Sequence, residues 1–430
     1  MPKARRMCPH CEKAFNTGNI AEHRRSCANQ KSTCPVCYKQ FIRERDHKRY
    51  CKGTLVELPT YLAQFPDFSK YNWREELPGT IPGLTPIHEA SDATKSLWHR
   101  MPCLVHINNP VPEQDVYVAV NKSINTLSFH AYKNGLAVHG AGHQKHTPLE
   151  RKAMKETAFI SMHQAVKRRE LKSTKPTLYS DRDPLCYVLN VWTEDIPLSP
   201  PAEIVSKYLL CGDTTQTGIN VTPGGSCIGL HFDIGRSGYS VVFDDCVKVI
   251  LLFPPTERNL GLFASTAGLP NRLARIGDQL EGGLIARIDK SLAIDLPSCA
   301  LHAVFTTVGG FLGGINFSIV EELPIMAQAI LAHLPFFERD PDAILEDIKI
   351  YLSALVRALS LSPPHDILIS IIKSWLALDI SMASIDSPSK WCQDEKEYIS
   401  AALNKVRPLQ CNCSAIGKGT HLVEEHFEAV

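Results

Sequence analysis

Leu230-His231-Phe232-Asp233, followed by Val247-Lys248-Val249-Ile250-Leu251-Leu252-Phe253-Pro254-Pro255, is the stretch whose reading decides the fold. Residues two apart on a strand point to the same side, so a strand there offers an imidazole and a carboxylate together. The apolar run after it predicts a buried strand ended by a double proline. Lys248 sits inside that run, where an ammonium is costly unless an anion neutralises it. Further on, Leu296-Pro297-Ser298-Cys299-Ala300-Leu301-His302-Ala303-Val304 predicts a turn and a short strand carrying His302. A glycine loop over residues 309–314 and another strand with Asn316 and Phe317 follow. His302 lies 69 positions past Asp233 (302 − 233), a separation that lets different strands of one barrel converge. Two imidazoles and one carboxylate cover one face of an octahedral Fe(II) and leave the other face open. A lone His-x-Asp is usually surface polarity and a lone buried histidine is usually satisfied core. The elements in this order, each with strand-like flanks, carry the iron reading.

Taken together, these motifs resemble the JmjC (cupin-like) Fe(II)/2-oxoglutarate oxygenases, from about Tyr179 to Ile319. The Leu-Phe-Pro-Pro strand end at 252–255 is most similar to the small protein-hydroxylase branch. The resemblance implies an α+β chain whose core is a double-stranded β-helix (jelly roll, cupin) with flanking helices, preceded by small zinc fingers. It implies that His231, Asp233 and His302 hold Fe(II). Lys248 would pair with the distal carboxylate of the co-substrate 2-oxoglutarate, and Asn316 and Tyr179 would line its pocket. The implied activity is dioxygenase chemistry on a protein C–H bond. The enzyme would be a protein hydroxylase or a histone lysine demethylase, according to whether the target carbon is an N-methyl group. Two positions depart from the branch. Ile228 stands where a threonine is common three residues before the first metal histidine, and Leu301 where an aromatic residue often precedes the distal one. The alternative is a catalytically inactive JmjC-like scaffold whose zinc fingers bind nucleic acid or protein.

The amino terminus carries two further clusters, Cys8-x₂-Cys11 with His23-x₃-Cys27 and Cys34-x₂-Cys37 with His47-x₃-Cys51. Each has zinc-ligand spacing, a Cys-x₂-Cys knuckle and a His/Cys pair one helical turn apart. Phe15 and Phe41 each follow the second cysteine by four residues and could form the tiny apolar core. The gaps between the pairs are 11 and 9 residues, shorter than the ~12 of a standard DNA-reading finger. Residues 1–52 hold 13 Lys and Arg against 4 acids, a net of +9, while the remainder holds 33 against 41, a net of −8. Such a head suits nucleic acid or an acidic protein tail.

The whole chain has 430 residues, 44% hydrophobic and 21% charged, as expected of a soluble protein of two or three domains. No apolar stretch approaches a membrane span, and the start lacks the apolar core of a secretory signal. Six of the fifteen cysteines belong to the fingers and the others are scattered, which fits a reducing compartment. The expected location is the nucleus, with the cytoplasm also compatible. The expected organisation is fingers over 1–52, a wrapping or linker region over 53–175, the catalytic β-helix over 176–325 and a helical region over 326–430. Within the second region, Tyr61–Pro86 reads as an irregular wrap, Val116–Val120 as a strand, and Thr147–Leu171 as an exposed basic helix. His139, His143 and His146 read as a solvated loop. Ile344, Ile348, Leu352, Leu355 and Leu359 repeat at helix spacing, Pro363-Pro364 breaks that helix, and Ile367–Ile380 makes another. These helices read as a cap over the barrel, with a homodimer surface as the sharper option. Cys411-x-Cys413 with His421 and His426, and with Cys392, offers a third zinc site.

Overall fold

A computed structural model describes residues 62–126, 186–198 and 216–383, apart from 63–64, 70–72, 74–75, 82, 109, 223, 234–236, 244, 340 and 362, together with short strands outside these spans. Two small hairpins come first, β1 (Arg5–Met7) with β2 (Ala14–Asn16) and β3 (Ser32–Thr33) with β4 (Gln40–Phe41). Then follow β5 (Thr85–Pro86), β6 (Cys103–His106), β7 (His130–Lys133), β8 (Leu136–His139) and β9 (Cys186–Thr193).

Eight consecutive strands make the centre: β10 (Thr217–Thr222), β11 (Cys227–His231), β12 (Ser237–Val242), β13 (Val247–Phe253), β14 (Leu284–Ile288), β15 (Leu292–Leu296), β16 (Leu301–Val308) and β17 (Gly310–Phe317). One sheet runs β6-β15-β12-β17-β10-β9-β7-β8 and the other β11-β16-β13-β14-β5. The central pairings are all antiparallel: the first central strand with the last, the second with the seventh, the third with the sixth and the fourth with the fifth. The architecture is α+β, and this order is compatible with a jelly roll.

The strands form where the sequence is apolar on both faces. In β13, Val249, Leu251 and Phe253 join a core shared with the helices, while Ile250 and Leu252 join a core between the sheets. That inner core takes Val242, Ile294, Leu296 and Leu312 from one sheet and Leu284, Ala286, Ile288 and Val304 from the other. From Gly310 onward the glycine run expected as a loop lies instead within β17, a central strand paired on both sides, and only Gly309 falls between strands. Packing explains the glycine at 313: a Cβ there would sit 2.7 Å from the Phe243 ring.

The segment 116–120, expected as a strand, belongs to helix α3 (Glu113–Thr126), which comes after α1 (Pro66–Ser69) and α2 (Asp92–Lys95). Val116, Ala119 and Val120 are buried at helical spacing against the outer face of the larger sheet, and Val118 is 57% exposed. Burial of an i, i+3, i+4 stripe outweighs the strand preference of three valines. The Tyr61–Pro86 region contributes Leu62, Phe68, Trp73 and Leu77 to the outer core with little regular structure.

After the strand pair β12–β13 come α4 (Glu257–Ser265) and α5 (Arg272–Ile276), and after β17 come α6 (Leu323–His333), α7 (Pro341–Leu361) and α8 (His365–Ala383). The five apolar positions from Ile344 to Leu359 are all buried, and Pro363-Pro364 separates α7 from α8. The helices share the outer core with β13 and β16. No helix among the described residues is long and apolar enough to cross a membrane.

One buried ionic network ties the segment before β6 to β12, β15 and the turn before α6. Arg100 donates to Asp295, to Glu322 Oε1 (2.9 Å), to Ser237 Oγ (2.9 Å) and to the Leu296 carbonyl (3.2 Å). Ser237 and Ser298 hydroxyls both donate to Glu322 Oε2 (2.5 and 2.7 Å). Burial alone would raise the Glu322 carboxyl. His99, Arg100 and the two serines outweigh it and bring the pKa down to about 2.

Candidate metal centre

His231 is the last residue of β11 and stands opposite His302 of β16. Between them and the pair Ile228–Val304, two residues of β11, Gly229 and Leu230, face one residue of β16, Ala303. That is a β-bulge, a device that re-aims side chains beside functional sites. In an unbroken strand, residues three apart would point to opposite faces. Here Ile228 packs on the inner core, Leu230 on the outer one, and the His231 ring returns inside, its centroid 4.1 Å from that of His302. Asp233 lies two residues past the strand end, with its side chain 44% exposed and Oδ2 3.8 Å from His302 Nε2. One ligand atom from each of the three residues falls within 4.8 Å of the other two.

The imidazoles are oriented alike. His231 Nδ1–H donates to the Gly229 carbonyl (2.7 Å), and His302 Nδ1–H donates to the Ala300 carbonyl (2.9 Å). A carbonyl oxygen only accepts, so each Nδ1 carries a proton and Nε2 is the ring atom that faces the other ligands. His302 is 5% exposed, and its pKa is brought down to about 4, first by burial and then by His231, against the pull of Asp233 and the Ala300 carbonyl. Its neutral form therefore prevails at physiological pH. Two imidazoles with committed Nδ1 atoms and one carboxylate fit a divalent transition metal.

Further along the same interior, Lys248 is 1% exposed, and no carboxylate among the described residues pairs with it. Its Nζ donates to Thr222 Oγ1 (2.6 Å) and Thr306 Oγ1 (2.8 Å), and the Thr306 hydroxyl donates to Thr222 Oγ1 (3.2 Å). An ammonium has three donors and each hydroxyl one, so one N–H of Lys248 and the Thr222 hydroxyl proton stay uncommitted within this trio. Burial lowers the Lys248 pKa, which marks the cost of a charge held away from water; Cys246 opposes the shift. Two free donors and a positive charge suit a carboxylate. Thr306 and His302 lie four residues apart on one face of β16, so metal centre and lysine share one interior. Asn316 is half-buried on the inward face of β17, beside Gly238 of β12. Leu301 is buried in the outer core, away from the ligands.

The structure thus gathers His231, Asp233 and His302, and puts Lys248 and Asn316 on the walls of the same space. Tyr179 and the eight finger residues Cys8, Cys11, His23, Cys27, Cys34, Cys37, His47 and Cys51 lie outside the described residues, as do Thr147–Leu171 and the cysteines and histidines of the third cluster. Sequence reasoning missed Thr222 and Thr306. They lie 84 positions apart, and no local spacing links either to Lys248.

A segment of 158 residues, 36% of the chain, is 27% identical to the "JmjC domain-containing histone demethylation protein 1" of Kluyveromyces lactis. The similarity supports a JmjC-like family. The chain spans only 30% of that relative's length. No protein-family model matches the sequence.

Proposed function

We propose that this JmjC-like chain is an Fe(II)/2-oxoglutarate-dependent dioxygenase acting on a protein substrate. The carrying observation is the meeting of His231, Asp233 and His302 with both Nδ1 atoms committed to carbonyls, in the same interior as a buried lysine that has no carboxylate partner among the described residues. A bound ferrous ion with 2-oxoglutarate and dioxygen supplies the oxidation of a C–H bond to C–OH, with succinate and carbon dioxide as co-products.

The chain's own residues have distinct tasks. His231 and His302 would bind the ion as neutral donors, and Asp233 would bring one negative charge. Lys248, with Thr222, would take the distal carboxylate. The charges then close: ferrous ion and Asp233 leave one positive, the co-substrate brings two negatives, and Lys248 balances the rest. The inner apolar core, with Ile228, Ile250 and Val304, would line the interior behind the ligands.

The relative's printed name supports histone demethylation as the outcome, in which an N-methyl carbon is oxidised and released as formaldehyde. A chromatin setting and nuclear location belong to the same proposal. So do zinc held by the two finger clusters, nucleic acid as their partner, and pairing of two copies through the C-terminal helices. Anaerobic loading with Fe(II) and 2-oxoglutarate, then air and methylated histone peptides, tests the reading. Succinate above the level of a His231→Ala/Asp233→Ala protein is expected, with formaldehyde. A stable gain of one oxygen on the peptide would instead identify a hydroxylase. Succinate equal to that of the double variant would leave a scaffold.

A further inference from the structure

Asp233 is the one ligand that no strand holds. β11 ends at His231, so no ladder bond fixes the backbone at 232–233. Phe232, between the two ligands, points the opposite way into the helical layer and is 7% exposed. Its ring lies 5.2 Å from the His333 ring, nearly parallel at 22°, and 5.1 Å from the Phe263 ring at 54°. Phe263 and His333 meet edge to face at 5.5 Å and 71°, and the Arg272 guanidinium lies 4.4 Å over Phe263.

Such ring pairs contribute beyond their buried area and have defined geometry. A ring held on two sides fixes its own Cα, and the next Cα lies a fixed 3.8 Å along the chain. Burial and the nearby Arg272 bring His333 down to about 4, so a neutral imidazole stacks there at physiological pH.

We propose that Phe232 is an anchor and that Phe263 of α4 and His333 of α6 are positioning residues, which together set the place of the Asp233 carboxylate. The helical layer outside the barrel thereby governs metal affinity inside it. This inference rests on the ferrous reading above.

The test is anaerobic Fe(II) titration of the zinc-replete full chain by calorimetry, with melting temperatures alongside. His333→Leu and Phe263→Leu are expected to weaken Fe(II) binding about tenfold, the low end of losses seen when groups that orient metal ligands are removed. His333→Phe restores a stacking ring and is expected to keep the wild-type affinity. Val120→Ala, a cavity on the far face of the larger sheet, is expected to lower the melting temperature and leave affinity alone. Unchanged affinity in both leucine variants would overturn the inference, as would an equal loss in Val120→Ala. If one leucine variant does not fold, the other decides. Wild type binding no more Fe(II) than His231→Ala/Asp233→Ala would overturn both this inference and the ferrous reading.

Discussion

The trio Thr222–Lys248–Thr306 shows how single residues set the chemistry that the interior accepts. Lys248→Met is expected to raise the KM for 2-oxoglutarate and leave Fe(II) affinity near wild type, because the lysine hydrogen-bonds hydroxyls and no metal ligand. Loss of a hydrogen bond to a charged group costs about 1.5–3 kcal/mol, so the KM should rise roughly ten- to a hundredfold. Equal losses for metal and co-substrate would remove Lys248 from its role. Thr222→Val should raise the same KM, and Thr222→Ser should recover most of it. Initial rates against 2-oxoglutarate concentration measure all of these. At this scale the sequence was informative where chemistry forces a residue type: a lysine in an apolar strand and a His-x-Asp pair both stand out. The two threonines do not, since a threonine in a strand is ordinary. The inward face shared by Ile228 and His231 was hidden as well, because a bulge is not a residue pattern.

Among the elements, β13 and β16 were legible from their mostly apolar runs, and α7 and α8 from period and proline break. α3 was not: Val116 to Val120 carries strand propensity, and only the neighbouring sheet decides for a helix. The glycine run at 309–314 misled in the opposite sense. Glycine signals a turn in isolation, whereas in β17 it leaves room for the Phe243 ring. The buried ionic network was also invisible, since Arg100, Asp295 and Glu322 are far apart in sequence. Arg100→Met would leave two buried carboxylates without their cation. It is expected to destabilise the chain by about 3–5 kcal/mol, measurable as a lower denaturation midpoint in urea. A midpoint equal to wild type would mean that the network contributes nothing net.

For the whole molecule, pH tests how helices and barrel are joined. The folded His333 has a pKa of about 4 and the unfolded one the usual value near 6.5, so the unfolded chain binds the extra proton first. Its contribution is full above 6.5 and is lost as pH falls towards 4, on the order of 3 kcal/mol in all. Glu322 follows in a lower window: its contribution is present above about 4.5 and is lost as pH falls through about 2. Urea midpoints for the metal-free protein should therefore fall from pH 6.5 to 4, where His302 contributes as well, and His333→Phe should make that limb shallower. An unaltered limb in the variant would mean that His333 titrates normally. The jelly-roll-like pairing that assembles the site was beyond reading from sequence, because all but the innermost of the four nested pairings join strands separated by other strands. The central claim is that two imidazoles and one carboxylate hold a ferrous ion inside the barrel. X-ray absorption at the iron edge of the zinc-replete, Fe(II)-loaded chain tests it most directly. The account predicts a first shell of nitrogen and oxygen with imidazole features that weaken in His302→Ala; sulfur in that shell, or a spectrum indifferent to His302→Ala, would contradict it.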